Sequence, residues 1–155
     1  MCAEFLAVDL NRSEHLDAFA RLLDLYMRDD MGVREKLSRT QCDLVIGALR
    51  KHSSYRGFFV RSGQSWVALA NCFLNYSTFQ ARPLLNIHDL IVDPAVRHRG
   101  IGRFMLAGLT AYARENGFCR LNLEVRMDNL IAQALYREDG FSECQPPMFF
   151  WEKLI

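Results

Sequence analysis

Apolar positions recur along this chain with two distinct periods, and the alternation between them predicts its elements. The run Glu4–Leu10 is short and apolar-rich, which suits an edge strand. Leu16, Phe19, Ala20, Leu23, Tyr26 and Met27 then return at helical spacing, so a helix runs to about Arg28, with Asn11 or Ser13 available as its cap. Asp29-Asp30-Met31-Gly32 breaks it. Thr40 is a second N-cap candidate, ahead of an amphipathic stretch through Leu44, Val45, Ala48 and Leu49. Tyr55–Arg61 and Trp66–Tyr76 read as strands joined by the turn Ser62-Gly63-Gln64, a hairpin.

Leu84–Val92 is a further strand, ended at Asp93-Pro94 because proline has no N–H for the ladder. Gly102–Asn116 predicts a helix whose buried side carries Phe104, Met105, Leu109, Tyr112 and Ala113, with Gly117 as a left-handed cap. Leu121, Leu123 and Val125 alternate with Asn122, Glu124 and Arg126, a strand with two unlike faces. Asn129–Glu138 is a short helix closed by Asp139-Gly140. After Pro146-Pro147, Met148–Leu154 reads as a final aromatic strand, and Phe141–Cys144 could supply one more. The central strand–helix–strand unit requires a parallel pair with a right-handed crossover. The remaining strands can form an antiparallel meander, so the class is mixed α+β.

Composition narrows the field without naming a function. A chain of 155 residues, 50% apolar, suits one domain over residues 1–155 with a substantial core. Lys+Arg number 19 and Asp+Glu 18, a balance of +1 that gives nucleic acid or an anionic membrane no electrostatic footing. No apolar stretch is long enough for a membrane span, and MCAEFLAVDL is too short and acidic for a signal sequence. Cys2, Cys42, Cys72, Cys119 and Cys144 show no CxxC spacing, and His15, His52, His88 and His98 fit no ligand spacing. The expectation is a cytoplasmic protein with reduced thiols and no metal site.

Candidate chemistry concentrates between residues 90 and 103. Here a strand delivers a tight basic loop, and the loop opens directly into a helix. Gly100 and Gly102 carry no Cβ and allow close backbone approach to a ligand. The helix start offers unpaired N–H groups and a partial positive charge. Arg97, His98, Arg99 and Arg103 surround it, so the segment reads as a phosphate or pyrophosphate site. The patterns GxxxxGK[ST] and GxGxxG are both absent, which argues against ATP and NAD.

Arg97-His98-Arg99-Gly100-Ile101-Gly102 resembles the [RQ]-x-x-G-x-[GA] motif of the GNAT superfamily of N-acetyltransferases. A second segment, running from Asn129 through Ala132, Leu135 and Tyr136 to Gly140-Phe141, is similar to that superfamily's N-x-x-A-x-x-[LF]-Y-x-x-x-G-F. The resemblance implies a mostly antiparallel central sheet, a splayed parallel pair in its middle and helices on both faces. It implies acetyl-CoA as cofactor, with the backbone from Arg99 to Arg103 holding the pyrophosphate. It also implies that Leu90, Ile91 and Val92 pair with the pantetheine arm, that Asn129 supports it, and that Tyr136 donates a proton to the departing sulfur.

The implied reaction transfers acetyl to a primary amine by direct attack in a ternary complex; no cysteine matches a nucleophile position. An alkylammonium with a pKa of about 10.4 must first lose a proton. His88 and Asp89 are polar positions inside an apolar strand, and Glu124 lies on the polar face of the next; these are the candidate proton acceptors. A proton relay through water leaves no single base. Asn75–Phe79 is similar to the diamine acetyltransferase branch, and Tyr26, Asp29, Asp30, Phe79 and His88 are candidates for the acceptor pocket. The expected acceptor is a small molecule: a polyamine, an amino acid derivative or an aminoglycoside. A protein lysine or N-terminal amine, and a non-catalytic acyl-CoA sensor, are the alternatives. The apolar run Met148–Trp151 could pair in a homodimer, although core burial explains it equally well.

Overall fold

The computed structural model describes residues 3–155 and builds one sheet in the order β1-β2-β3-β4-β5. The strands are β1 (Ala3–Ala7), β2 (Tyr55–Ser62), β3 (Ser65–Ser77), β4 (Arg82–Val92) and β5 (Leu121–Leu123). The first four are antiparallel neighbours; β4 and β5 are parallel, with Leu85 opposite Leu121 and Ile87 opposite Leu123. The helices are α1 (Ser13–Arg28), α2 (Arg39–Lys51), α3 (Ile101–Glu115) and α4 (Leu130–Glu138). The mixed α+β architecture with helices on both faces is the one expected.

Alternation along β2 and β3 divides the core in two. Phe58, Val60, Ala68, Ala70 and Cys72 face α3 and its stripe of Ile101, Met105, Leu106 and Leu109. Phe59, Leu69 and Ile91 face the other way, against Phe19, Leu22 and Leu23 of α1 and Cys42 and Ile46 of α2. Neighbouring residues of a strand point to opposite faces, so a strand buried on both sides reads as a continuous apolar run. Phe58-Phe59-Val60 and Val67–Ala70 are such runs.

Several details depart from expectation. Ser38, not Thr40, caps α2, accepting from the Gln41 N–H at 3.1 Å. Arg12, with no side-chain cap bond, precedes α1 in place of Asn11 or Ser13. On α3 the buried face is Ile101, Met105, Leu106, Leu109 and Ala113, at helical spacing, so Leu106 is buried and Phe104, expected there, is exposed. The expected strands at Phe141–Cys144 and Met148–Leu154 do not form; Met148, Phe149, Phe150 and Trp151 are exposed coil. The parallel pair therefore lies at the margin of the described sheet, with β5 outermost. Cys42, Cys72, Cys119 and Cys144 are free thiols, and Cys2 lies outside the described residues. No helix among the described residues is long and apolar enough to cross a membrane, and none of their side chains group to hold a metal.

Candidate active site

The parallel pairing stops after Ile87 and Leu123, and from there β4 and the chain following β5 diverge. A bulge accompanies the divergence. Asn71 pairs with Asp89 and Cys72 with Ile87, so His88 is the extra residue of β4. A bulge bends its strand and increases local twist, which turns the remainder of β4 away from β5. Between the diverging segments lies a groove of about 720 Å³.

One end of the groove is built from backbone. His88–Val92 presents a strand edge with no ladder partner on the β5 side. The loop after β4 then turns into α3, and the backbone N–H groups of residues 98–103 have no acceptor among the described residues. Phe104 makes the first bond back, to the Gly100 carbonyl at 2.9 Å. Consecutive free amides at a helix start form an anion cradle. A Cβ at Gly102 would meet the tip of the Leu135 side chain of α4 at 2.9 Å, so a larger residue there has to displace that side chain. The loop is braced from α1. Arg21 binds Asp93 at 2.6 Å and also the Trp66 carbonyl, while Asp93 caps the turn Pro94–Val96 through the Ala95 N–H. Arg97 donates to the Val92 carbonyl at 3.1 Å and to Asp29 at 2.7 Å.

The other end is built from side chains. His88, exposed at the bulge, meets the Phe73 ring edge-on at 5.6 Å. Glu124 leaves β5 on the opposite wall, with no ion pair among the described residues. Tyr26 and Met31 close the α1 side. Tyr136 of α4 is half-buried, its ring tilted 56° to that of Phe141 with the centroids 5.8 Å apart. Burial, helped by the nearby Tyr26, pushes its phenol up to about 12, so Oη keeps its proton at neutral pH. Burial likewise raises Tyr26, with Asp89 and Asp29 adding to the effect. Asn129 caps α4, its side-chain oxygen accepting from the Ala132 N–H at 3.1 Å, which leaves its Nδ2 available to the groove.

Most of the residues singled out in the sequence converge here. Leu90, Ile91, Val92, Arg97, His98, Gly100, Ile101, Gly102 and Arg103 line the groove from β4 and α3. Glu124, Asn129 and Tyr136 line it from the far wall, and Tyr26, Asp29 and His88 complete it. Arg99 is exposed away from it. Asp30 pairs with Arg34 at 3.3 Å on the surface, and Phe79 is fully exposed at the β3–β4 turn. Asp89 lies behind the wall and accepts from Asn71 Nδ2 at 3.0 Å; Asn71 in turn accepts from the Tyr55 hydroxyl at 3.0 Å. Asn71 was missed in the sequence, although a single amide inside the apolar run Val67–Cys72 is a usable signal. Met31, Val125, Leu130 and Ile131 were missed as groove residues as well; solvent-facing apolar residues carry no such mark.

Comparison with known proteins now bears on the groove. Residues 19–141 match the family model described as "Acetyltransferase (GNAT) family". The chain belongs to this family. A segment of 55 residues is 49% identical to N-alpha-acetyltransferase RimI of Mycobacterium tuberculosis, covering 36% of this chain and 33% of that protein. Another of 71 residues is 39% identical to streptothricin acetyltransferase of Streptomyces lavendulae, covering 46% and 36%. The chain thus matches only about a third of the length of each of these relatives. The fold superimposes with a TM-score of 0.80 and 17% identity on an aminoglycoside acetyltransferase from an uncultured soil metagenomic sample, over 99% of this chain and 97% of that one.

Proposed function

We propose that this GNAT protein is an acetyl-CoA-dependent N-acetyltransferase that delivers acetyl to the primary amine of a small molecule by direct attack in a ternary complex. The observation that carries the reading is the single groove in which free amides, an open strand edge and a proton-bearing tyrosine meet. The residues present fit the cofactor. The amides of residues 98–103, with His98 and Arg103 beside them, suit a pyrophosphate. The unpaired edge of Leu90–Val92 suits an amide-containing arm that needs strand-like bonds. Bound acetyl-CoA supplies a thioester whose acyl carbon an amine can attack.

The chain's own groups handle the protons and the charge. Tyr136 Oη, held protonated, donates toward negative charge developing at the groove floor. His88 and Glu124 flank the point where the strands part, and either can receive the proton that an ammonium must lose. Asn129 Nδ2 is a further donor. Two glycines serve the cradle in different ways: Gly100 by its positive φ, Gly102 by its lack of bulk against Leu135.

A CoA-release assay over a panel of primary amines tests the reading. Saturable turnover in both substrates is expected. Tight acetyl-CoA binding without turnover on any amine would make the protein a binding module instead. A polypeptide N-terminus is the second reading, favoured by the segment shared with an N-alpha-acetyltransferase.

A further inference from the structure

We infer that Asn71 is a positioning residue: linked to Tyr55 and Asp89, it holds the β4 bulge in register and so aims the open edge of Leu90–Val92 into the groove. This rests on the acetyltransferase reading above and adds a residue to its cofactor end. At one level of the sheet, Gly57 of β2 lies opposite Asn71 of β3, and Asn71 lies opposite Asp89 of β4. The Tyr55 hydroxyl donates to Asn71 Oδ1 at 3.0 Å, and Asn71 Nδ2 donates to Asp89 Oδ2 at 3.0 Å. Chemistry fixes the direction: a carboxylate only accepts, so the amide nitrogen faces Asp89 and its oxygen faces the phenol. Burial raises the Tyr55 phenol, so the hydroxyl keeps the proton it donates. A Cβ at Gly57 would meet the Tyr55 hydroxyl, so the glycine leaves the ring its path to Asn71.

The bulge decides which way the groove wall faces. Ile87 and Leu90 both pack against the α3 side of the core, although they are three residues apart, and Ile91 packs against the α1 side. Strict alternation from Ile87 would send Asp89 and Ile91 to the α3 side and Leu90 to the other. Every position after His88 is therefore set by that extra residue. Asn71 and Asp89 form the first β3–β4 pair beyond it, and their side chains bond across the strands. Asn71 is buried inside the apolar run Val67–Cys72, where an amide is costly unless both of its ends are bonded. Both are bonded here, so the pair opposes a slip that an apolar residue would permit. Leu90–Val92 begins at the next residue, so register at Asp89 fixes the direction of the edge.

Calorimetric titration with CoA tests the inference without turnover, on Asn71→Asp, on the double variant Asn71→Asp with Asp89→Asn, and on Tyr55→Phe. Asn71→Asp keeps the size but sets two acceptors face to face. CoA affinity should fall by about tenfold or more, the scale of a hydrogen bond to a charged group. The double variant restores a donor–acceptor pair with its direction reversed, and affinity should return to within about threefold of the parent. Tyr55→Phe keeps the ring and should weaken CoA by about threefold. Urea midpoints of the same variants separate stability from binding. A lower midpoint with parental CoA affinity in Asn71→Asp overturns the inference, as does a double variant that binds no tighter than Asn71→Asp. Should Asn71→Asp not fold, Tyr55→Phe decides, and unchanged CoA affinity there overturns the inference. CoA binding by the parent without acetyl transfer to any amine would leave the inference standing and remove the enzyme reading instead.

Discussion

The two ends of the groove are made of different material. The anion cradle and the open strand edge are main chain: amides of residues 98–103 and the margin of Leu90–Val92. The end to which we assign the acceptor is side chain: His88, Glu124, Tyr26 and Met31 line it. Main-chain sites depend on backbone path, so few residue types are compatible with them, and glycine marks the places. Side-chain sites can exchange one group for another without moving the backbone. On the proposed reading, such a division lets the cofactor end stay fixed while the acceptor end varies, because the part that changes is not the part that shapes the loop.

The two ends of the groove meet at Tyr136. Tyr136→Phe removes the proton-bearing hydroxyl and keeps the ring. Turnover should fall by about a hundredfold or more, on the scale of general acid catalysis, with acetyl-CoA affinity within about threefold. Steady-state kinetics with calorimetry separates the two; equal losses in both would make Tyr136 part of the cofactor end. Next in size is Gly100→Val. A β-branched residue at φ +80° costs about 1–3 kcal/mol, so cofactor affinity should drop by roughly 10- to 100-fold. Equilibrium binding of CoA reads this, and an unaffected dissociation constant would detach the loop from the cradle role.

Arg97 and Asp29 join the two ends, and pH probes that link. Burial raises the Asp29 carboxyl, but the Met31 N–H and the Arg97 guanidinium outweigh it, and the net value lies below the ordinary range. A carboxylate depressed in the folded state adds stability above its unfolded pKa and loses it as pH falls through the folded value. Urea midpoints measured from pH 6 downward should therefore decline less in Asp29→Asn than in the parent below about pH 4. Parallel curves would show that the pair is not coupled to folding. The smallest effect is a control away from both ends. Ser38→Ala should cost about 1 kcal/mol by loss of the α2 cap, and Thr40→Ala well under that, both read by denaturant unfolding.

How much could be read in the sequence follows the same division. The first motif runs through the groove's main-chain end, and Gly100 marks it by a local requirement, a positive φ, whereas the contact of Gly102 with Leu135 comes from α4. Asp29 is an acceptor-pocket candidate by sequence, yet it is paired with Arg97, a residue far along the chain. Asp89 and His88 are adjacent in sequence, but the bulge at His88 leaves one on the groove wall and the other behind it. Met148–Leu154 has strand-like composition but no pairing partner in this chain's described sheet, and composition alone cannot supply one.

The periodicities that make these helices and strands, the doubly apolar runs of β2 and β3, and the glycine-marked loop at the head of α3 are legible in the chain without its fold. These are local properties, set by side-chain spacing and allowed backbone angles. Where β4 and β5 part, which groove carboxylates are paired and which one is not are set by the folded arrangement. Those depend on contacts between distant segments, Arg97 with Asp29 and Arg103 with Glu138, whose partners no local pattern specifies.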